Sequence, residues 1–309
     1  KGVLSGTGTT RTLAISAITV GDGETVSVEI ANPSGFSISG SPKTAVVYRA
    51  PTIVTISAIP GVTSPVLGNI PVTTITETDQ YTGTVSWDGG WAWSNRFGGQ
   101  RAYTATITLT AKTGYTLTGV TENFFTVAGT TSDTNPADTG VATAVFPATS
   151  SVGAIGAPAL GGKVAYILQS GDPGYVAGEQ RGLIVATTDQ STNSVWSNIF
   201  NGLANALPVE IGTGSANTDA IIAQSGHTDS AAQLCRGYTG GSFTDWYLPS
   251  QDELYKLYVN KASIGNFETD NYWSSSEHSA TYARFLANDG DQDLTGKGIH
   301  MRVRAVRSF

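Results

Sequence analysis

A chain of 309 residues is longer than one hydrophobic core usually organises, so two or three domains are expected. Charged residues make up only 13% of it, and a net charge of −7 opposes the phosphate attraction that supplies most nucleic-acid affinity, which argues against DNA or RNA as a ligand. The single Cys235 rules out an intramolecular disulfide and lacks the paired spacing of a zinc site, and no apolar run approaches the ~20 residues that span a bilayer.

The 37 glycines and the many Thr and Ser residues favour turns and half-buried strands. The chain opens on Lys1 in strand-like sequence without a starting Met, so a targeting segment upstream is expected. Within residues 11–30 the run TLAISAITV, the turn signal Gly21-Asp22-Gly23 and the alternating run Thr25 to Ile30 read as a hairpin. Asn32-Pro33-Ser34-Gly35 marks a turn and Ala45 to Tyr48 a strand, and Pro51 begins a new unit. Strands follow at Ile53 to Ile59, Gln80 to Trp87, Tyr103 to Ala111 and Val141 to Phe146. Strict alternation puts Thr104, Thr106, Thr108 and Thr110 on one face and Ala105, Ile107 and Leu109 on the packed face. Short strands divided by turn signals predict immunoglobulin-type sandwiches.

The small, turn-prone residues from Ser150 to Gly162 predict a hinge, after which the pattern changes. Helices are expected at Asn217 to Gln224, at Ser230 to Cys235 and after Pro249. There Ser250 and Glu253 form a capping box and Leu254, Leu257 and Tyr258 an apolar stripe that belongs to a core.

Two resemblances attach to these residues. Ala111 to Val120 (AKTGYTLTGV) and Phe125 to Gly129 (FTVAG) are similar to the tandem bacterial immunoglobulin-like repeats of cell-surface proteins. Further on come Ala216-Asn217-Thr218, Ala231-Ala232, Cys235, the WYLPS run Trp246 to Ser250, Glu253-Leu254, the YWSSSE run Tyr272 to Glu277 and the RVRAVR run Arg302 to Arg307. In that order they resemble the C-terminal domain family of bacterial collagen-like adhesins, whose fold is similar to the C-type lectin fold. The interval between YWSSSE and RVRAVR resembles that of variable proteins of diversity-generating retroelements. In those proteins adenine-directed mutagenesis rewrites asparagine codons, and such a codon cannot yield Lys, Gln, Glu, Met or Trp. The resemblance marks as variable His278, Ser279, Thr281, Tyr282, Arg284, Leu286, Asp289, Asp291, Asp293, Leu294, Thr295, Gly296, Gly298, Ile299 and His300. All obey the restriction, whereas Met301 does not.

The expected architecture is multidomain: an immunoglobulin-like β-domain at 1–51, truncated at its start, a second at 52–150, a linker at 151–161 and an α+β C-type-lectin-like domain at 162–309. Trp246, Leu248, Leu254, Leu257, Trp273, Val303 and Val306 should hold the last domain, leaving the variable residues as an exposed patch. Tyr282, Arg284 and His300 there can supply aromatic and cationic contacts. The resemblance implies a non-enzymatic receptor-binding protein, an adhesin or a phage tail tip. It implies display outside a bacterial cell or on a virion and a protein or other cell-surface ligand, glycans included, with no cofactor.

Other chemistry is poorly supported by the residues. Asp289, Asp291 and Asp293 begin like a calcium loop, but its sixth position is Leu294 and its twelfth is His300, so a solvated acidic patch is the better reading. His227, His278 and His300 have no metal-binding spacing, Ser274 to Ser276 lack a hydrolase elbow, and Asp252 and Glu253, adjacent on a helix, point about 100° apart. Formylglycine-generating and sulfoxide-synthase enzymes of the related lectin fold need metal or reactive-cysteine sites that have no counterpart here. The rival binding reading is a polysaccharide or glycosaminoglycan adhesin using Arg302 and Arg304 or the aromatic loop with Trp87, Trp91 and Trp93. The plainer expectation for the arginines is pairing with carboxylates on a closing strand.

Overall fold

The computed structural model describes residues 51–89 and 94–309, and of the first fifty residues only four short strands. These are β1 (Val3–Ser5), β2 (Thr12–Ala14), β3 (Thr25–Ser27) and β4 (Thr44–Val46). β1 pairs with β2 and β3 with β4, so the two runs expected to form one hairpin each take another partner. The turn at Asn32 to Gly35 lies outside the described residues, as do Trp91 and Trp93.

The next unit contains β5 (Thr52–Ile53), β6 (Tyr81–Trp87), β7 (Thr104–Ala111), β8 (Tyr115–Thr116), β9 (Ser132–Thr134) and β10 (Val141–Val145). Strands β6, β7, β10 and β9 make an antiparallel sheet in that order. The alternation of β7 is as expected, with Ala105, Ile107 and Leu109 buried and the threonines turned outward. The opposing layer is less regular. Of the strand expected over Ile53 to Ile59 only β5 forms, paired in parallel with β8, and a single bridge joins Ala58 to Thr126. The residues after β5 instead bond to a side chain, the N–H groups of Thr55 and Ile56 both donating to Gln80 Oε1. Tyr81 crosses between the layers, its ring edge-on to Phe125 and its hydroxyl donating to the Ala58 carbonyl at 2.7 Å.

The last unit contains β11 (Pro158–Ala159), β12 (Gly162–Ile167), β13 (Gly182–Val185), β14 (Ser191–Ser194), α1 (Gly214–Ile222), α2 (Ala231–Arg236), α3 (Gln251–Val259), α4 (Lys261–Ile264), β15 (Tyr272–Glu277), β16 (Tyr282–Leu286), β17 (Gln292–Gly296), β18 (Met301–Val303) and β19 (Val306–Ser308). One sheet runs β11-β12-β13-β19 and the other β14-β18-β15-β16-β17, with β17 at its edge. The three expected helices are α1, α2 and α3. Ser230 caps α2, and α3 starts with the complete Ser250–Glu253 capping box. One core gathers Trp196, Trp246 and Trp273 with Leu248 and Val303, and another joins Leu254 and Leu257 of α3 to Tyr272 and Val306. Each tryptophan N–H is satisfied by a backbone carbonyl, which lets these rings be buried without an orphan donor.

The stretch 151–161 is not a hinge. Val152 and Leu160 pack into the tryptophan core, Gly156 N–H donates to the Val164 carbonyl, and β11 pairs with β12. Across this junction Gly99 and Gln180 exchange two backbone hydrogen bonds of 2.8 Å, and Arg96 pairs with Asp245 at 2.8 Å. At its centre the buried Glu179 carboxylate accepts from Arg101 Nη1 (2.7 Å), Arg181 Nε (2.8 Å) and the Tyr103 hydroxyl (2.6 Å). Burial pushes its pKa up, but those three donors outweigh burial and hold it below the ordinary value.

Two of the buried acids, Glu179 and Glu253, contribute to stability with opposite dependence on pH. Glu179→Ala removes the carboxylate that accepts from Arg181, Arg101 and Tyr103 and should cost about 3 kcal/mol in urea denaturation, the low end for a broken buried pair because Arg101 is partly solvated. Glu253 behaves differently from Glu179. Burial raises its carboxyl to about 7, against hydrogen bonds from Ser250 and Gly212 N–H. A raised carboxyl pKa means that the folded state holds a proton that the unfolded chain releases above about 4.5. Glu253 therefore favours folding most at the acid end, and that benefit is lost as pH rises towards 7. Chemical denaturation across this window should show a downward slope with pH that flattens in Glu253→Gln.

Candidate functional site

The fifteen residues marked as variable fall on β16, β17 and the turns around them. In the β16–β17 pair Tyr282 lies opposite Gly296, Arg284 opposite Leu294 and Leu286 opposite Gln292. Opposed residues of an antiparallel pair share a face, and neighbours along a strand alternate. Tyr282, Arg284, Leu294 and Gly296 therefore share one face, while Ala283 and Phe285 turn into the tryptophan core. Tyr282 is 50% exposed, and His278, Thr281, Asp289, Asp291, Asp293, Leu294, Gly298, Ile299 and His300 are also exposed. Ser279, Arg284, Thr295 and Gly296 are half-buried.

Leu286 is the exception and does not belong to the patch. Strand alternation gives it the same face as Tyr282 and Arg284, but α3 covers that end of the face. Leu286 is 1% exposed and packs with Leu254, Leu257 and Tyr272.

Short-range bonds fix the turns. Ser279 Oγ accepts from the N–H groups of Thr281 and Tyr282, closing the turn between β15 and β16. In the next turn Asp289 Oδ1 accepts from Asp291 N–H, and the Tyr258 hydroxyl donates to the Asp289 carbonyl at 2.6 Å. Three glycines separate the kinds of position. Gly290, which is not among the variable residues, has φ +97°, and a Cβ there would lie 2.4 Å from the Tyr258 ring. Gly296 opens on empty space, and a Cβ at Gly298 would touch only the edge of the exposed Phe200 ring at 3.2 Å. The two glycines marked as variable have room for a side chain, and Gly290 has none.

The sequence reading missed Lys297. Its ammonium lies beneath the patch, donating to Glu277 Oε1 (2.6 Å) and to the Gly202 carbonyl (2.7 Å), 4.8 Å from the centroid of the Trp196 ring. Both charged side chains are fully buried, and Glu277 also accepts from Ala204 N–H at 2.8 Å. A signal was present, since an asparagine codon rewritten at its adenines cannot give Lys or Met, and Lys297 and Met301 are the interval's buried residues of those types. Gln292 breaks the same restriction and is exposed.

The arginines of the rival reading are committed elsewhere. Arg302 pairs with Asp189 and Asp270, Arg304 with Asp189, and Arg307 with Asp245 beneath the Phe243 ring. Arg304 and Arg307 are buried, so no cationic face forms there for a polyanion. Trp87 packs against Phe97 and Phe146 and donates to the Val72 carbonyl. Among the described residues no three His, Cys, Asp or Glu side chains gather as a metal site, and burial pushes the Cys235 thiol far up, which leaves it unreactive.

The geometry divides the interval into positions that carry stability and positions that do not. Leu286→Ala should cost about 2–5 kcal/mol, as a large-to-small change in a packed core does. Gly290→Ala should cost roughly 1 kcal/mol or more through its positive φ and the Tyr258 contact. Tyr282→Ala, Asp291→Ala and Gly296→Ser should each stay within about 0.5 kcal/mol of the parent in thermal and urea denaturation. No protein-family model and no curated protein matches the chain.

Proposed function

We propose that the chain is a surface-displayed binding protein, an adhesin or the receptor-binding tip of a phage. On this reading an immunoglobulin-like β-unit carries a C-type-lectin-like domain outside a bacterial cell or on a virion. The ligand is a protein or other cell-surface macromolecule, and the domain recognises it without catalysis. The ligand-binding patch consists of His278, Ser279, Thr281, Tyr282, Arg284, Asp289, Asp291, Asp293, Leu294, Thr295, Gly296, Gly298, Ile299 and His300, diversified by a retroelement. One observation carries the reading. Apart from Leu286, the positions marked for variation are exposed or half-buried, while Ala283, Phe285, Lys297 and Met301 among them are buried. A surface rewritten at many positions must contribute little to folding, and this one is held from beneath by residues outside the set, with Ser279 and Asp289 adding only local turn contacts.

Replacing the fourteen patch residues together by others that a rewritten asparagine codon allows should leave the melting temperature within a few degrees and change which ligands the chain retains on a cell-surface protein array. Collapse of the fold, or an unchanged ligand profile, would refute the proposal. In the genome, an imperfect copy of the coding segment for 278–301, differing at adenines and beside a reverse-transcriptase gene, is the expected companion. Its absence would remove the diversification claim.

A further inference from the structure

Where the β-unit meets the last unit, Ser94, Arg96, Ser215, Asp245 and Tyr247 line a cleft of about 320 Å³, at the small end of the roughly 300–1,000 Å³ of ligand sites. Ser94 and Arg96 come from the loop between β6 and β7, Ser215 from the first turn of α1 and Asp245 from the stretch before α3. The cleft carries excess positive charge. Asp245 accepts from Arg96 Nη2 at 2.8 Å, and from Arg307 through Nε at 3.0 Å and Nη2 at 3.1 Å. Among the described residues it is the only acid lining the cleft, so one carboxylate faces two guanidiniums. Arg236, which bonds to Ser215, leaves this balance unchanged because it has its own partner in Asp219 at 2.5 Å. Burial holds the Arg96 guanidinium below its ordinary pKa, with Asp245 opposing and Arg307 adding to the effect.

Donors are in excess as well. Of the five N–H groups of Arg96, one bonds to Asp245 and one to the Gly68 carbonyl at 2.8 Å. Ser94 Oγ is buried and bonds to nothing, an arrangement that disfavours folding. Ser215 Oγ accepts from Arg236 Nη2 at 3.1 Å and keeps its own hydrogen to donate. Asp245 is already occupied by its three N–H bonds. The lining therefore offers hydrogen-bond donors and positive charge, which match an acceptor that is itself negative.

We propose that this cleft binds a single oxyanion group, a carboxylate or a sulfate, through Arg96, Ser94 and Ser215. The inference uses none of the patch residues and is independent of the patch reading. A guanidinium with unused N–H groups is the side chain best suited to such a group, and two hydroxyls beside it complete the donor set. The volume admits either a free inorganic anion or one acidic sugar, and both would present the same chemistry to Arg96.

Isothermal titration of the full chain with sodium glucuronate, sodium sulfate and glucose, at one ionic strength set with chloride, tests the site. At least one of the two anions should bind with a Kd of about a millimolar or tighter, and glucose roughly tenfold more weakly or not at all. Tighter glucuronate assigns the acidic sugar and tighter sulfate the inorganic anion, and either result supports the site. Arg96→Gln should weaken the anion roughly tenfold or more, and Ser94→Ala roughly threefold or more. Because the Ser94 hydroxyl has no partner in the folded chain, Ser94→Ala should melt no lower than the parent. That variant decides the matter alone if Arg96→Gln does not fold. Anions that bind no better than glucose would overturn the proposal, as would anion affinity that stays within about twofold of the parent in the folded variants.

Discussion

Glu277 and Lys297 face each other with no exposed side-chain surface, and the outer face of the last unit depends on that pair being closed. Moving a carboxylate and an ammonium out of water costs several kcal/mol for each ion, and their attraction offsets it only when the remaining donors and acceptors are met. Here they are met. Glu277 takes the Ala204 N–H, Lys297 gives a second bond to the Gly202 carbonyl, and the Trp196 ring lies beside the ammonium. The end of β15, the segment from 202 to 206 and the turn after β17 are thereby interlocked. None can shift without leaving a charge buried alone. The side chains outside this lock need not pack to be held in position.

A comparable lock closes the junction with the preceding β-unit. Glu179 collects three donors from both sides of it, and the backbone of Gly99 pairs with Gln180 in two directions. Glycine is required beside it, because a Cβ at Gly98 would lie 2.4 Å from Glu179 Oε1. Buried charge satisfied across a junction favours a fixed relative orientation over a swinging one.

What could be read from the sequence depended on whether the deciding interactions were local. Ser250 and Glu253 cap α3, and Ser230 caps α2, by contacts within one turn, so these helices were legible in the residues alone. The alternation along β7 was legible for the same reason, as were Trp246, Trp273 and Val306 as core. The expected hinge fails because small residues mean two things. Gly161 is small because it backs onto Gly240, where a Cβ would lie 2.5 Å from the carbonyl oxygen, and not because the chain bends there. Strand parity assigns Leu286 to the correct face and still misplaces it, since its burial comes from α3, more than two dozen positions earlier in the chain. Lys297 escapes a local reading because a lysine just after an exposed edge strand looks like surface until Glu277 is found opposite it.

The positions of the face are not equally free, and the glycines show why. At Gly296 nothing lies within 4 Å of where a Cβ would stand, so the backbone there accepts any residue that a strand accepts. At Gly298 a side chain grows against Phe200, an exposed ring that can turn aside, so size is tolerated at the cost of displacing that ring. At Gly290 both φ and the Tyr258 ring forbid a side chain, and the hydroxyl of that same tyrosine holds the Asp289 carbonyl. Freedom to vary therefore falls from the edge strand β17 towards α3, the same direction in which Tyr282, Arg284 and Leu286 pass from exposed to half-buried to buried. A substitution on β16 near α3 acts on packing first, so the strand positions with most freedom lie at the end of the face that borders Phe200.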